Sequence, residues 1–152
     1  MIPVVTIHRR VRRFSIDLPR LTRAVNAAVP HVLRHLKGSE PPLANLPEIE
    51  ASIVSDTAIA KVHAQFMDDP TATDVITFHH GEIVIGAEVA ERQAAEYDEP
   101  LAREILRYMV HGLLHLAGHE DAEPGARTTM ETAQETIVAH LWTPEFRERL
   151  NC

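Results

Sequence analysis

The chain has 152 residues, 45% of them apolar, which is long enough for one domain with a real core. Its formal net charge of −7 argues against broad, nonspecific affinity for nucleic acid, although an unevenly spread charge leaves a nucleic-acid substrate open. The single cysteine, Cys152, excludes an intrachain disulfide; no segment approaches the apolar length of a membrane span, and the N-terminal residues lack the charged-then-apolar order of a secretory signal, so a cytoplasmic protein is expected.

In chain order, Val4 to Ile7 reads as a short strand, and Phe14 to Ile16 as another strand or an extended arm. Arg9, Arg10, Arg12 and Arg13, with Arg20 and Arg23 beyond them, crowd positive charge at this end. Asp17, with Pro19 close behind, predicts a helix start, and Leu21, Val25, Ala28, Val32 and Leu36 follow at core spacing. Pro30 is expected to kink or divide that helix. A loop from Gly38 to Asn45 precedes a strand near Ile49 to Ser55, and Asp56 is placed to cap a helix reaching about Phe66. Val75 to Phe78 and Glu82 to Ile85 are β-rich runs separated only by His79, His80 and Gly81, the pattern of an antiparallel hairpin. Helices follow from about Ala87 to Asp98, after Pro100, and from Pro124, the last with Met130, Ala133, Ile137 and Leu141 on one face. With no repeat or linker, the order predicts one α+β domain over residues 1–152, a small mixed sheet covered by helices.

The helix after Pro100 carries the chemistry. His111 and His115 lie four residues apart in an apolar run (Ile105, Leu106, Met109, Val110, Leu113, Leu114, Leu116), so both imidazoles project from one face, one turn apart. Uncoordinated imidazoles there would need other partners, and the spacing lets both bind one metal ion without backbone strain. Gly118 ends the helix and turns the chain, so that Asp121 can return a carboxylate as third ligand. Three protein ligands leave a position open, as in catalytic rather than closed structural sites. Two imidazoles and a carboxylate suit zinc best, with nickel, cobalt and iron(II) as alternatives.

The run from His111 to Asp121 resembles the signature of the YbeY family of bacterial metal proteins, whose usual pattern is H-G-x-L-H-L-x-G-Y-D-H. Thr73 to Phe78 is similar to that family's T-D-V-L-S-F strand, Gly81 to Ile85 to its G-D-I-V-I strand, and Met130-Glu131 falls where it carries Met-Glu. The order and spacing agree from about Ala51 to Leu141. The resemblance implies a metal-dependent single-strand endoribonuclease acting on ribosomal RNA, especially the small-subunit 3′ end, with that subunit and its assembly factors as partners. Two positions depart from the pattern. The family's third histidine falls on Asp121, with His119 in place of its tyrosine and a less well placed alternative ligand. An arginine thought to act on the phosphate falls on Met67.

Glu120, His119 and Asp74 are the nearest candidates for proton transfer, whereas His63, His79 and His80 read as surface or hairpin residues. A metalloprotease needs the same metal and water, but its H-E-x-x-H form puts a glutamate where this chain has Gly112. A ribosome-assembly factor that binds without cutting, its metal only structural, is the third reading, supported by Met67. The arginines from Arg9 to Arg13 are expected to guide RNA toward the site.

Overall fold

A computed structural model describes residues 2–144, and all that follows concerns these residues. Four strands, β1 (Val4–Arg9), β2 (Glu48–Val54), β3 (Val75–Phe78) and β4 (Glu82–Gly86), form one sheet in the order β1-β2-β4-β3. β1, β2 and β4 run parallel, and β3 pairs antiparallel with β4 through the predicted hairpin. β3 is therefore a sheet edge, with β1 as the opposite one.

Five helices cover the sheet: α1 (Leu18–Leu33), α2 (Asp56–Met67), α3 (Ala87–Glu96), α4 (Leu101–Leu116) and α5 (Pro124–Leu141). The expected α+β domain, with a small mixed sheet and a central helix that carries His111 and His115, is what is found. Strand alternation sorts the core. Val5, Ile7, Ile49, Ala51, Ile53, Ile83 and Ile85 belong to the main core with α1, α3, α4 and α5, while Val54, Ile76 and Val84 meet Ile59 of α2 in a smaller cluster. α4 is the central helix, with eleven buried residues between the sheet and α5.

Local chemistry explains most element boundaries. The Asp17 carboxylate caps α1 by accepting from the Arg20 N–H at 3.1 Å, and Pro19 sits in the first turn, where no N–H is needed. α1 runs through Pro30 as one helix rather than two, because the ring falls in the last turn while Val29 and Val32 on either side are fully buried. The helix ends before Leu36, which is exposed rather than in the core. Phe14 lies in a bend outside any strand and buries its ring in the main core. α2 is capped one residue earlier than predicted, by the Ser55 hydroxyl accepting from Ala58 N–H at 3.2 Å; Asp56 instead pairs with Arg92 at 2.9 Å. The loop after Gly38 contains a short 3-10 turn, Pro42–Asn45.

Gly112 lies where α4 packs on β4. A Cβ there would stand 2.9 Å from Ile83 Cδ1 and 3.0 Å from its Cγ2, so the closeness of helix to sheet depends on having no side chain. Gly112→Ala is expected to lower stability by about 1–3 kcal/mol through overpacking, read as a lower denaturant midpoint with an unchanged slope. An unchanged midpoint would show that Ile83 simply turns aside.

Candidate metal centre

α4 ends in a turn that sets the site. Gly118 adopts φ +99°, its N–H bonds the His115 carbonyl at 3.0 Å, and the His119 N–H bonds the Leu114 carbonyl at 3.0 Å. These two bonds make a Schellman motif, whose left-handed residue is best filled by glycine. The turn is pressed against the segment after α1. Lys37 N–H donates to the Ala117 carbonyl at 2.8 Å, and a Cβ on Gly118 would lie 2.1 Å from the Lys37 carbonyl oxygen. Beyond the turn the chain doubles back, held by Arg127 Nε donating to the Asp121 carbonyl at 3.1 Å.

This path brings the three predicted ligands together. Asp121 Oδ2 lies 3.5 Å from His111 Nε2 and 3.7 Å from His115 Nε2, and one ligand atom from each residue falls within 4.8 Å of the others. Bonds of about 2.1 Å in tetrahedral array space ligand atoms about 3.4 Å apart, so a zinc-sized ion suits this triad. The second ring nitrogens support the same assignment. His111 Nδ1 lies 2.8 Å from Gln134 Oε1, and His115 Nδ1 lies 3.0 Å from the His119 carbonyl. Both partners only accept, so each Nδ1 carries the proton and each Nε2 lone pair faces Asp121. Burial, and then the neighbouring His111, hold the His115 imidazole below its ordinary pKa and keep it in the neutral, ligating form. The Asp121 side chain is 45% exposed, so the triad is reachable from solvent.

The triad opens on a cavity of about 820 Å³ walled by β3, α4 and the middle of α5 and rimmed by the C-terminal ends of α2 and α3. The carboxylates of Asp74, Glu104, Glu120, Asp121 and Glu131 line it. Its one arginine, Arg107, directs five N–H···O bonds at three carboxylates: Glu99 at 2.7 and 3.2 Å, Glu135 at 2.8 and 3.0 Å, and Glu104. The guanidinium is thus saturated. Burial pushes the Glu104 carboxyl above its usual range, whereas the Arg107 bonds hold Glu99 below it.

A family model described as "Endoribonuclease YbeY" matches residues 7–142 of the chain. The chain belongs to this family. The protein called Endoribonuclease YbeY from Gluconobacter oxydans is 31% identical over 135 residues, covering 85% of this chain and 79% of that one. The one from Phocaeicola vulgatus is 33% identical over 99 residues, covering 60% of this chain and 72% of the relative. That from Myxococcus xanthus is 34% identical over 104 residues, but these make up only 35% of the relative's length. A target protein from Thermotoga maritima, solved in solution, shares the fold at 24% identity with a TM-score of 0.64, covering 95% of this chain and 93% of that one.

Around this candidate centre of a YbeY-family chain, the three residues singled out for proton transfer part company. Asp74 and Glu120 line the cavity. Asp74 also caps the start of β3, its Oδ1 accepting from Val75 N–H at 2.8 Å. His119 is not among the lining residues; its ring is buried against the α1 side, with Nε2 donating to the His35 carbonyl at 2.6 Å. It joins the centre through its backbone, whose carbonyl orients His115. His79 lines the cavity, whereas His63 and His80 do not. Nor does the arginine run reach it. Arg9 and Arg10 close β1 at the far sheet edge, and Arg13 stacks 4.6 Å from the Phe14 ring centroid and pairs with Glu91. Gln134, Arg107 and Tyr97 escaped the sequence reading. The one signal for Gln134 was an amide on the apolar face of α5, between Ala133 and Ile137.

Proposed function

We propose that the chain is a metal-dependent single-strand endoribonuclease of ribosomal RNA maturation, acting at the small-subunit 3′ end and in ribosome quality control, with that subunit and its assembly factors as partners. The carrying observation is the triad of His111, His115 and Asp121, correctly spaced and open to a cavity large enough for a nucleotide, in a chain of the Endoribonuclease YbeY family. On this reading residues 1–152 work as one such domain in the cytoplasm; among the described residues no helix is long and apolar enough to cross a membrane.

Zinc, or nickel, cobalt or iron(II) in its place, would polarise a phosphoryl oxygen and lower the pKa of bound water. The protein's part is to hold the ligands neutral and oriented and to move protons. Glu120, exposed beside Asp121, and Asp74, across the cavity, are assigned that role; His119 serves the turn and its ring takes no part. The acidic walls repel phosphates, so few phosphates enter and the bases lie against the walls.

Tyr97, 65% exposed at the cavity rim, supplies an aromatic face for an unpaired base. Tyr97→Ala should weaken binding of single-stranded RNA by about 1–3 kcal/mol with metal content unchanged, and Tyr97→Phe should restore it. Equal affinities in a fluorescence anisotropy titration of all three proteins would remove the stacking role.

The test of the function is metal analysis of the purified protein beside RNA cleavage with and without a chelator. Casein in parallel separates the metalloprotease reading, which Gly112 disfavours because helix and sheet meet there. Metal-bearing protein that cleaves no RNA would favour the assembly-factor reading, for which the saturation of Arg107 and the carboxylate-rich cavity are the supporting observations.

A further inference from the structure

Gln134 is buried, 8% exposed, on the face of α5 that packs against α4. An amide has two unlike ends, and here each end has a fixed partner. Oε1 lies 2.8 Å from His111 Nδ1, while Nε2 donates to Glu135 Oε2 at 3.0 Å. The reverse orientation would point an oxygen at the Glu135 carboxylate. Glu135 cannot turn away to relieve this, because Arg107 grips both its oxygens through Nε at 2.8 Å and Nη2 at 3.0 Å. Arg107 is in turn gripped by Glu99 and Glu104 from the start of α4 and the turn before it. A chain of directional bonds therefore runs from a partly buried charge cluster to one ligand of the candidate metal centre.

We propose that Gln134, oriented by the Glu135–Arg107 pair, is a positioning residue that fixes the Nδ1–H tautomer of His111 and so sets the affinity and geometry of the metal centre. The proposal rests on the metal-binding reading above. The hydrogen bond keeps the His111 Nε2 lone pair pointed at Asp121 before any ion arrives and makes the imidazole a stronger donor. His115 has a backbone carbonyl for the same purpose, which no side-chain replacement can remove. The two histidines thus differ, and only His111 depends on a replaceable partner.

The experiment compares wild type with Gln134→Met, which keeps length without the oxygen, Gln134→Glu, which restores an acceptor, and Glu135→Met, which frees the amide to turn. Zinc affinity is measured by competition with a chromophoric chelator, and cobalt absorption reports ligand geometry. Long-range nitrogen–proton NMR correlation on metal-free protein, at a pH where imidazole is neutral, reports the His111 tautomer. Gln134→Met should bind zinc about 10- to 100-fold more weakly and show a mixed His111 tautomer, with Gln134→Glu recovering both. Glu135→Met should fall between them. Should Gln134→Met fail to fold, the comparison of Glu135→Met with Gln134→Glu and wild type carries the same decision. An unchanged tautomer and zinc affinity in Gln134→Met or Glu135→Met would overturn the proposal while leaving the metal centre standing. Wild type that binds no zinc or cobalt would overturn the metal reading and this proposal with it.

Discussion

His115→Ala will leave the purified protein without metal, and chelator-sensitive RNA cleavage will disappear with it. A three-ligand centre has no spare donor, and among the described residues His111, His115 and Asp121 are the group of histidines and carboxylates placed to share an ion. Losing an orienting partner of a ligand already costs about 10- to 100-fold in affinity, so losing the ligand itself should cost more. Asp121→Ala should behave the same way. Asp121→Asn, of nearly equal shape but without charge, should retain the fold and lose most of the metal. The informative comparison is His119→Ala. Its ring donates to the His35 carbonyl across the α4 turn, so this variant should lose thermal stability and keep its metal when folded. Full metal in Asp121→Ala together with loss in His119→Ala would transfer the third ligand to His119.

What the sequence disclosed about this site was what local geometry decides. Two histidines four apart on a helix must share a face, and a glycine after the last turn must bend the chain, so His111, His115 and Asp121 were legible without a fold. His119 was not. Its residue type suggested proton transfer, but the left-handed Gly118 before it sends the ring toward α1. Gln134 and Arg107 acquire meaning only when α5 packs on α4, a contact between residues more than twenty positions apart. That the arginine run does not line the cavity was hidden for a similar reason: the strand order β1-β2-β4-β3 puts β1 and β3 at opposite edges, and no local pattern encodes that order. Pro30 shows the reverse case, where a strong local signal yields to packing because its neighbours Val29 and Val32 are fully buried.

Met67→Arg should speed RNA cleavage, by about tenfold or more if the new charge reaches the phosphate that changes charge in the reaction, since a well-placed donor of this kind is worth about 10²–10³ in rate. The cavity's ionised groups are mostly carboxylates, and Arg107 is neutralised by Glu99, Glu104 and Glu135. A scissile phosphate entering it meets repulsion from the walls, with stabilisation left to the metal centre. Met67 is the last residue of α2, lines the cavity and is 53% exposed, so a long cation there can enter without disturbing the core. Product chemistry separates the two available nucleophiles. Water should leave a product end without a 2′,3′-cyclic phosphate, and cleavage should survive a single 2′-deoxy substitution at the scissile nucleotide. Attack by the RNA's own 2′-hydroxyl would give the cyclic phosphate and be abolished by that substitution. The variant should raise the rate on the all-ribose and the singly deoxy substrates alike, and its RNA affinity should become more salt-dependent by about one phosphate contact. Cyclic-phosphate products would refute water as the nucleophile. A steeper salt dependence with no gain in rate would show that position 67 binds the strand away from the reacting phosphate.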